Sequence, residues 1–160
     1  MLYRLYRPED FAQLYAVEET CFEDPFRFSR GAMRQLVCSS NAATWVAEEE
    51  GQLAGFAIVE WGEDQGASVA YIQTIEVVPE QRRQGAGGEL LRLVEQSAQS
   101  MGAPIIWLHV DAENAGAIRL YEAHGYRREG MAAKYYPRGR AALVYAKNIS
   151  AAANGGVQAC

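Results

Sequence analysis

Val77-Val78-Pro79-Glu80-Gln81-Arg82-Arg83-Gln84-Gly85-Ala86-Gly87-Gly88-Glu89-Leu90-Leu91 is the stretch on which the reading of this chain turns. An apolar run ends at Val78, Pro79 follows it, and two arginines stand in the turn. Three glycines then open a helix whose Leu90, Leu91, Val94 and Ala98 share one face. The first turn of any helix leaves backbone N–H groups without intrahelical partners, and the helix dipole adds partial positive charge at the same place. Glycine removes the side chains that would keep a bulky pyrophosphate from those amides, so a phosphate group is the expected guest. Two nucleotide-binding patterns fail here. Gly87-Gly88-Glu89 stands where a P-loop needs Gly-Lys-Ser/Thr, and Gly85-Ala86-Gly87 is followed by Leu90 where the dinucleotide fingerprint needs its third glycine.

Working outward, Leu2 to Tyr6 reads as a short strand, and Pro8 suits the first turn of a helix reaching about Thr20. Phe11, Leu14, Tyr15 and Val17 form its apolar face. Phe22 to Phe28 is an aromatic loop broken by Pro25, and Ser29 is placed to cap a helix from Arg30 to about Cys38. Strands at 44–48 and 53–61 flank a Glu50-Gly51 turn, a second turn covers 62–66, and a long strand runs from about Ser68 to Val78. After the helix from Gln84 to Met101 comes a continuously apolar strand, Ile105 to Val110, of the kind expected to be buried on both faces. A helix from Asn114 to His124 precedes two strands, about 126–131 and 141–147, joined by Lys134 to Arg140. The order βααβββαβαββ predicts one mixed α/β domain over 1–149: a partly parallel sheet with helices on its faces, fed by an antiparallel meander. Residues 150–160, small and polar, read as a disordered tail.

The 160 residues are 49% hydrophobic and 22% charged, in the range of a globular domain that needs neither disulfide nor metal to hold its core. Cys21, Cys38 and Cys160 are an odd, widely spaced set, which reads as free thiols in a reducing compartment with no metal site. The N-terminus has no signal-peptide character, and no apolar run reaches the ~18 residues of a membrane span. A cytoplasmic protein without a membrane or nucleic-acid partner is expected. A net charge of −5 lacks the basic face that nucleic acids select and suits a cationic substrate. With no apolar stripe left over, a monomer is expected.

Arg82-x-x-Gly85-x-Gly87, after a strand ending Val77-Val78-Pro79, resembles the acetyl-CoA motif of the GNAT superfamily, R/Q-x-x-G-x-G/A. Asn114-Ala115-Gly116-Ala117-Ile118-Arg119-Leu120-Tyr121-Glu122-Ala123-His124-Gly125-Tyr126 is similar to that superfamily's N-x-x-A-x-x-L-Y-x-x-x-G-F/Y signature. The two motifs cover roughly residues 70–147. Within the superfamily the chain looks most like the N-terminal protein acetyltransferases, the RimI-type branch, because Tyr135-Tyr136-Pro137 resembles a tyrosine pair that contacts the substrate peptide there. The resemblance implies the GNAT fold, a central mixed, mostly antiparallel sheet with a parallel pair at the coenzyme A site and helices on both faces, and acetyl-CoA as co-substrate without a metal. It implies direct transfer to an amine, most simply the N-terminal α-amine of a protein or peptide.

By the same resemblance, backbone groups of Ile75, Glu76 and Val77 align the pantetheine arm and the acetyl carbonyl. Arg83, Gln84, Gly85, Ala86, Gly87 and Gly88 hold the pyrophosphate, and Asn114 bonds the cofactor besides capping its helix. Tyr121 is the general acid for the departing thiolate and contacts the cofactor; by position alone it is an aromatic on the inner face of a helix. His109 departs from the RimI-type pattern, which has Glu here. Paired with Tyr71 it resembles a eukaryotic branch in which such a pair takes the amine proton, and an imidazole is well poised for that near neutral pH. Glu76 is the competing base, although alternation puts it on the face opposite Tyr71; without a bulge it is a solvated or ion-paired carboxylate. Phe22, Glu23, Asp24, Tyr135 and Tyr136 are candidates for the acceptor slot. Two further readings stay open: acetylation of a small amine, and a non-catalytic module that only binds coenzyme A.

Overall fold

The computed structural model describes residues 1–150; the predicted tail lies outside them except for Ser150. Among the described residues seven strands are hydrogen-bonded in the order β1-β2-β3-β4-β5-β7-β6. These residues condense into two compact units. The first holds Met1–Val59 and Gln73–Val94; the second holds Glu60–Ile72 and residues 95–150. Three elements run through both: β3 (Gln52–Asp64), β4 (Ala67–Val77) and α3 (Ala86–Ser100).

In the first unit β1 (Leu2–Leu5) lies antiparallel to β2 (Ala42–Glu49), with Leu2 opposite Glu48 and Leu5 opposite Trp45. Arg4 joins this edge to the turn that follows: its guanidinium donates to both carboxylate oxygens of Asp10, at 2.8 and 3.0 Å, and to Glu48 at 2.8 Å. Pro8 opens a separate 3-10 turn, Pro8–Asp10, and α1 proper is Phe11–Cys21. Its buried residues fall at helical spacing and pack with Met33, Val46, Phe56 and Ile58 into one core. Ser29 caps α2 (Arg30–Cys38) as its sequence suggests, accepting from the Ala32 amide at 3.1 Å. The β3–β4 hairpin corrects the predicted turn. β3 runs through Gly62 to Asp64, and only Gln65-Gly66 lies between the strands, because two residues suffice to reverse an antiparallel pair.

In the second unit β5 (Ile105–Asp111) pairs antiparallel with β7 (Ala142–Asn148), which in turn pairs with β6 (Arg127–Ala132) across a register shift between Arg128 and Gly130. The parallel ladder of β4 with β5 is two pairs long, Ala70 with Ile106 and Tyr71 with Trp107. The expectation that β5 is buried on both faces is wrong. Ile106, Leu108 and Val110 are buried, while Ile105 is exposed and Trp107 and His109 are half-buried on the other face. A run of apolar letters hid an ordinary period-two strand with one face left for other work. Between β5 and β6 lies α4 (Ala115–Ala123), capped by the Asn114 side chain, which accepts from the Ala117 amide at 3.1 Å.

Candidate active site

The half-open face of the second unit is built by the sheet register. Parallel pairing sets Tyr71 beside Trp107, and His109, two residues further along β5, points the same way. The Tyr71 hydroxyl lies 2.9 Å from His109 Nδ1. Tyr71 meets Trp107 edge-on at 4.6 Å between centroids, and Tyr135 stacks flat on the His109 ring at 4.2 Å and 8°. Tyr136 stands edge-on to Tyr135 at 4.9 Å. The loop that presents this tyrosine pair is latched at its far end. The Tyr136 amide donates to the Arg140 carbonyl at 2.8 Å, and the Arg140 guanidinium donates to Asp111, the last residue of β5, at 2.7 Å.

These surroundings set the charge states. Burial pushes the His109 imidazole below its usual value near 6.5, so it is neutral at pH 7. Burial, then a hydrogen bond with Tyr135 that favours the protonated form, raises the Tyr71 phenol well above its ordinary range. Tyr136 is pushed up to about 12, first by burial and then by Tyr135 and Asp111. A neutral imidazole held by a phenol and covered by an aromatic ring is a proton acceptor with its orientation fixed on two sides.

Tyr121 lies in the same unit on α4, only 6% exposed, with its ring 5.6 Å from that of Tyr126. Burial raises its phenol well above the ordinary range, so the proton stays on. The two neighbours are used differently. The Tyr126 hydroxyl donates to Glu95 at 2.7 Å, a carboxylate that also takes Lys147 at 3.1 Å, and Tyr145 donates to Glu122 at 2.7 Å. Among the described residues no carboxylate holds Tyr121 in this way. His124, at the end of α4, has Nδ1 2.9 Å from the Leu120 carbonyl, a local contact that accounts for it.

The turn before α3 belongs to the first unit. Arg82 is a brace: its Nε donates to the Val77 carbonyl at 2.7 Å and its Nη2 lies 3.7 Å from the Cys21 sulfur. Arg83, Gln84 and Gly85 are exposed, and Arg83 and Gly85 both have positive φ, 63° and 89°. A Cβ on Gly85 would meet nothing within 4 Å, so the approach to the first helical amides is open. The helix begins behind it, with Ala86 buried and the Glu89 amide donating to the Gly85 carbonyl at 3.1 Å. Exposed cation, open backbone and helix start together fit a phosphate-bearing group. Among the described residues no group of ligands suited to a metal ion occurs.

On β4, Glu76 is found on the pleat face opposite Tyr71. Ala70, Ile72 and Glu76 are buried in alternation, and Thr74 donates to Glu76 at 2.7 Å along the same face. The alternative of a solvated or ion-paired carboxylate is corrected: Glu76 is 3% exposed, and the charge nearest it is another carboxyl, that of the fully buried Glu18 of α1. Its carbonyl presses on Gly55 of β3, where a Cβ would collide with it. The Val77 carbonyl is occupied by Arg82 and, at 3.6 Å, by the Cys21 thiol. Burial, followed by the charge of Glu76, pushes that thiol up to about 11.

Phe22, Glu23 and Asp24 lie in the first unit, in a loop held by its own backbone and by Arg27, which donates to the Phe22 carbonyl at 3.0 Å. Glu23 and Asp24 are exposed. Sequence reading passed over Trp107, Arg140 and Glu18. Trp107 carried a signal, since it stands two residues before His109 on a strand. So did Glu18, which completes the spacing Phe11, Leu14, Tyr15, Glu18 on an otherwise apolar helix face. Arg140 carried none, because its partner Asp111 is 29 residues away.

The profile of the Acetyltransferase (GNAT) family matches residues 2–126. The chain is 36% identical over 89 residues to the [ribosomal protein bS18]-alanine N-acetyltransferase of Escherichia coli K12, covering 56% of this chain and 57% of the relative. It is 38% identical over 94 residues to the streptothricin acetyltransferase of Streptomyces lavendulae, covering 58% of this chain and 46% of the relative. These alignments therefore span about half the length of the curated relatives. The crystal structure of the Escherichia coli ribosomal-protein-S18-alanine N-acetyltransferase superposes with a TM-score of 0.81 at 27% identity, covering 93% of this chain and 94% of that one.

Proposed function

Because this chain belongs to the acetyltransferase (GNAT) family, we propose that it transfers an acetyl group from acetyl-CoA to an amine, and that the amine is the N-terminal α-amine of a protein or peptide. The observation that carries this reading is the neutral His109, oriented by Tyr71 at 2.9 Å and covered by Tyr135 on a half-open face. An amine must lose a proton as it attacks, and this is the arrangement that can take one. Similarity to relatives named for alanine N-acetylation of a ribosomal protein supports a protein acceptor.

Acetyl-CoA supplies the acetyl group as an activated thioester. In the first unit, Arg83, Gln84 and the amides of Gly85, Ala86, Gly87 and Gly88 would hold its pyrophosphate. Ile75 and Val77 offer backbone N–H groups on β4 beyond the two-pair ladder with β5, where such donors stabilise charge growing on a carbonyl oxygen. Glu76 contributes through its backbone, since its side chain is turned into the core. In the second unit, Asn114 caps α4 and would meet the cofactor. His109 takes the amine proton at Nε2. In the tautomer that leaves Nε2 free, Nδ1–H donates to the Tyr71 oxygen, a bond that a phenol can accept. Tyr121 donates its proton to the departing sulfur, and burial has kept that proton in place. Tyr135 and Tyr136, beside His109, would meet the acceptor. In the first unit the exposed Glu23 and Asp24, next to Phe22, add negative charge that draws in a protonated terminus.

Similarity to a relative named for streptothricin favours one second reading, a small-amine acceptor. Thiol release from acetyl-CoA separates the two. The panel is a set of short peptides differing at residue one, their N-terminally blocked forms, spermidine and free lysine. Turnover on free but not blocked peptides is expected. Turnover on the small amines alone would replace the protein acceptor, and no turnover on any member would remove the catalytic reading.

A further inference from the structure

Two carboxyl groups meet in the core of the first unit. Glu18 is fully buried on α1 and Glu76 is 3% exposed on β4. Each is anchored through one oxygen: Glu18 Oε2 accepts from the Phe28 amide at 2.8 Å, and Glu76 Oε2 accepts from Thr74 at 2.7 Å. The remaining oxygens, Glu18 Oε1 and Glu76 Oε1, are buried with no hydrogen-bond partner, and the two side chains are near enough to act on one another. Carboxylates only accept, so a bond between them needs one of the pair to keep its proton. Buried like-charged carboxyls hold such a proton at a pH where an exposed one would have lost it.

The pair does not look built for stability, since two apolar residues of similar size would fill the same volume without stranding polar oxygens. What it does join is specific. Phe28 closes the 22–28 loop, and its backbone is gripped at both ends, the amide by Glu18 and the carbonyl by the Tyr15 hydroxyl at 2.8 Å. Glu76 stands between Ile75 and Val77. The Cys21 thiol on α1 also faces the pair, and the Arg82 guanidinium lies against that thiol. Arg82 is spent on the Val77 carbonyl and the Cys21 sulfur.

We propose that Glu18 and Glu76 share a proton across their unpartnered oxygens and are positioning residues: this bond fastens the end of the 22–28 loop to β4 and so sets how the acceptor is received. The acceptor half of this inference rests on the reading of that loop as part of the acceptor site. When the proton leaves to water, two negative charges face each other and the Phe28 end of the loop loosens. Burial and Glu18 together raise the Glu76 carboxyl well above its usual value, so the loosening belongs to the alkaline side of an ordinary carboxylate titration.

The test uses the full chain labelled with 13C at the glutamate carboxyl carbons and 15N at its amides. We expect one carboxyl to titrate well above the ordinary carboxylate range and the Phe28 amide resonance to move with the same midpoint. In Glu76→Gln the amide can donate to Glu18 at every pH, so both the high titration and the Phe28 movement should vanish. Ordinary titration of both carboxyls with Phe28 unmoved would overturn the fastening. On one peptide acceptor, so that its own ionisation cancels, wild-type KM should rise about threefold or more relative to Glu76→Gln across that midpoint. Glu76→Ala should show the raised KM at all pH, and Glu76→Gln should rescue it. A KM ratio that stays flat while Phe28 moves would overturn the positioning role. If no peptide is turned over, the acceptor reading fails, and the NMR titration still decides whether the pair fastens the loop.

Discussion

Strand β4 carries one member of each of two titratable pairs, and they have opposite surroundings. Tyr71 faces the half-open side with His109, where an unlike pair is held at 2.9 Å, stacked and only partly buried. Five residues on, Glu76 faces the core with Glu18, a like pair with almost no exposure. In the first pair one member is neutral and reachable, as the proposed exchange of a proton with an incoming amine requires. In the second, each carboxyl is shut away from water and anchored through one oxygen, to the Phe28 amide or to Thr74. Of these two pairs, the one proposed to turn over is only partly desolvated, and the one proposed to hold a shape is almost fully so.

That contrast can be broken from either side. The largest effect should come from Tyr121→Phe, which removes the proposed acid: kcat should fall about 10³-fold while the KM for acetyl-CoA stays within about twofold, measured by thiol release. His109→Ala should lower kcat/KM by about 10²-fold. In the wild type, activity falls as pH drops through the His109 value, which burial has placed below 6.5, because the protonated ring cannot accept. The pH–rate profile of the variant should lack that acid limb.

Gly55→Ala strikes the strand beside the buried pair, since the added methyl collides with the Glu76 carbonyl. It should cost about 1–3 kcal/mol in urea unfolding. The smallest effect is one of sign. A carboxyl raised by folding contributes stability that is fully present below its unfolded value near 4.5 and is lost as pH rises through the folded value. Glu76→Gln removes that loss, so its Tm relative to wild type should be higher at pH 8 than at pH 4.5. A difference that does not change with pH would mean that the pair does not hold a shared proton.

Much of this was legible beforehand. The element order, the caps at Ser29 and Asn114, and the Gly-rich helix start follow from local chemistry that acts within a few residues. The motifs named Tyr121 and the phosphate turn, and the pairing of Tyr71 with His109 was expected from resemblance. Legibility failed where the run of letters was ambiguous or the partner was distant. Ile105 to Val110 gave no clue that one face was open, because Trp107 and Ile105 are apolar whether covered or not. Glu76 was weighed as a solvated or ion-paired group because the partner that explains it, Glu18, lies 58 residues earlier on a helix.

The sequence by itself determined the alternation that separates Tyr71 from Glu76, the helix start that exposes amides, and the family to which the chain belongs. These depend on period, on backbone hydrogen bonding and on short motifs, all of which are local. Only the tertiary structure decided which titratable groups meet: histidine with tyrosine on an open face, glutamate with glutamate in the core. Charge state depends on burial and on the nearest partner, and both are set by packing between segments that the sequence keeps far apart.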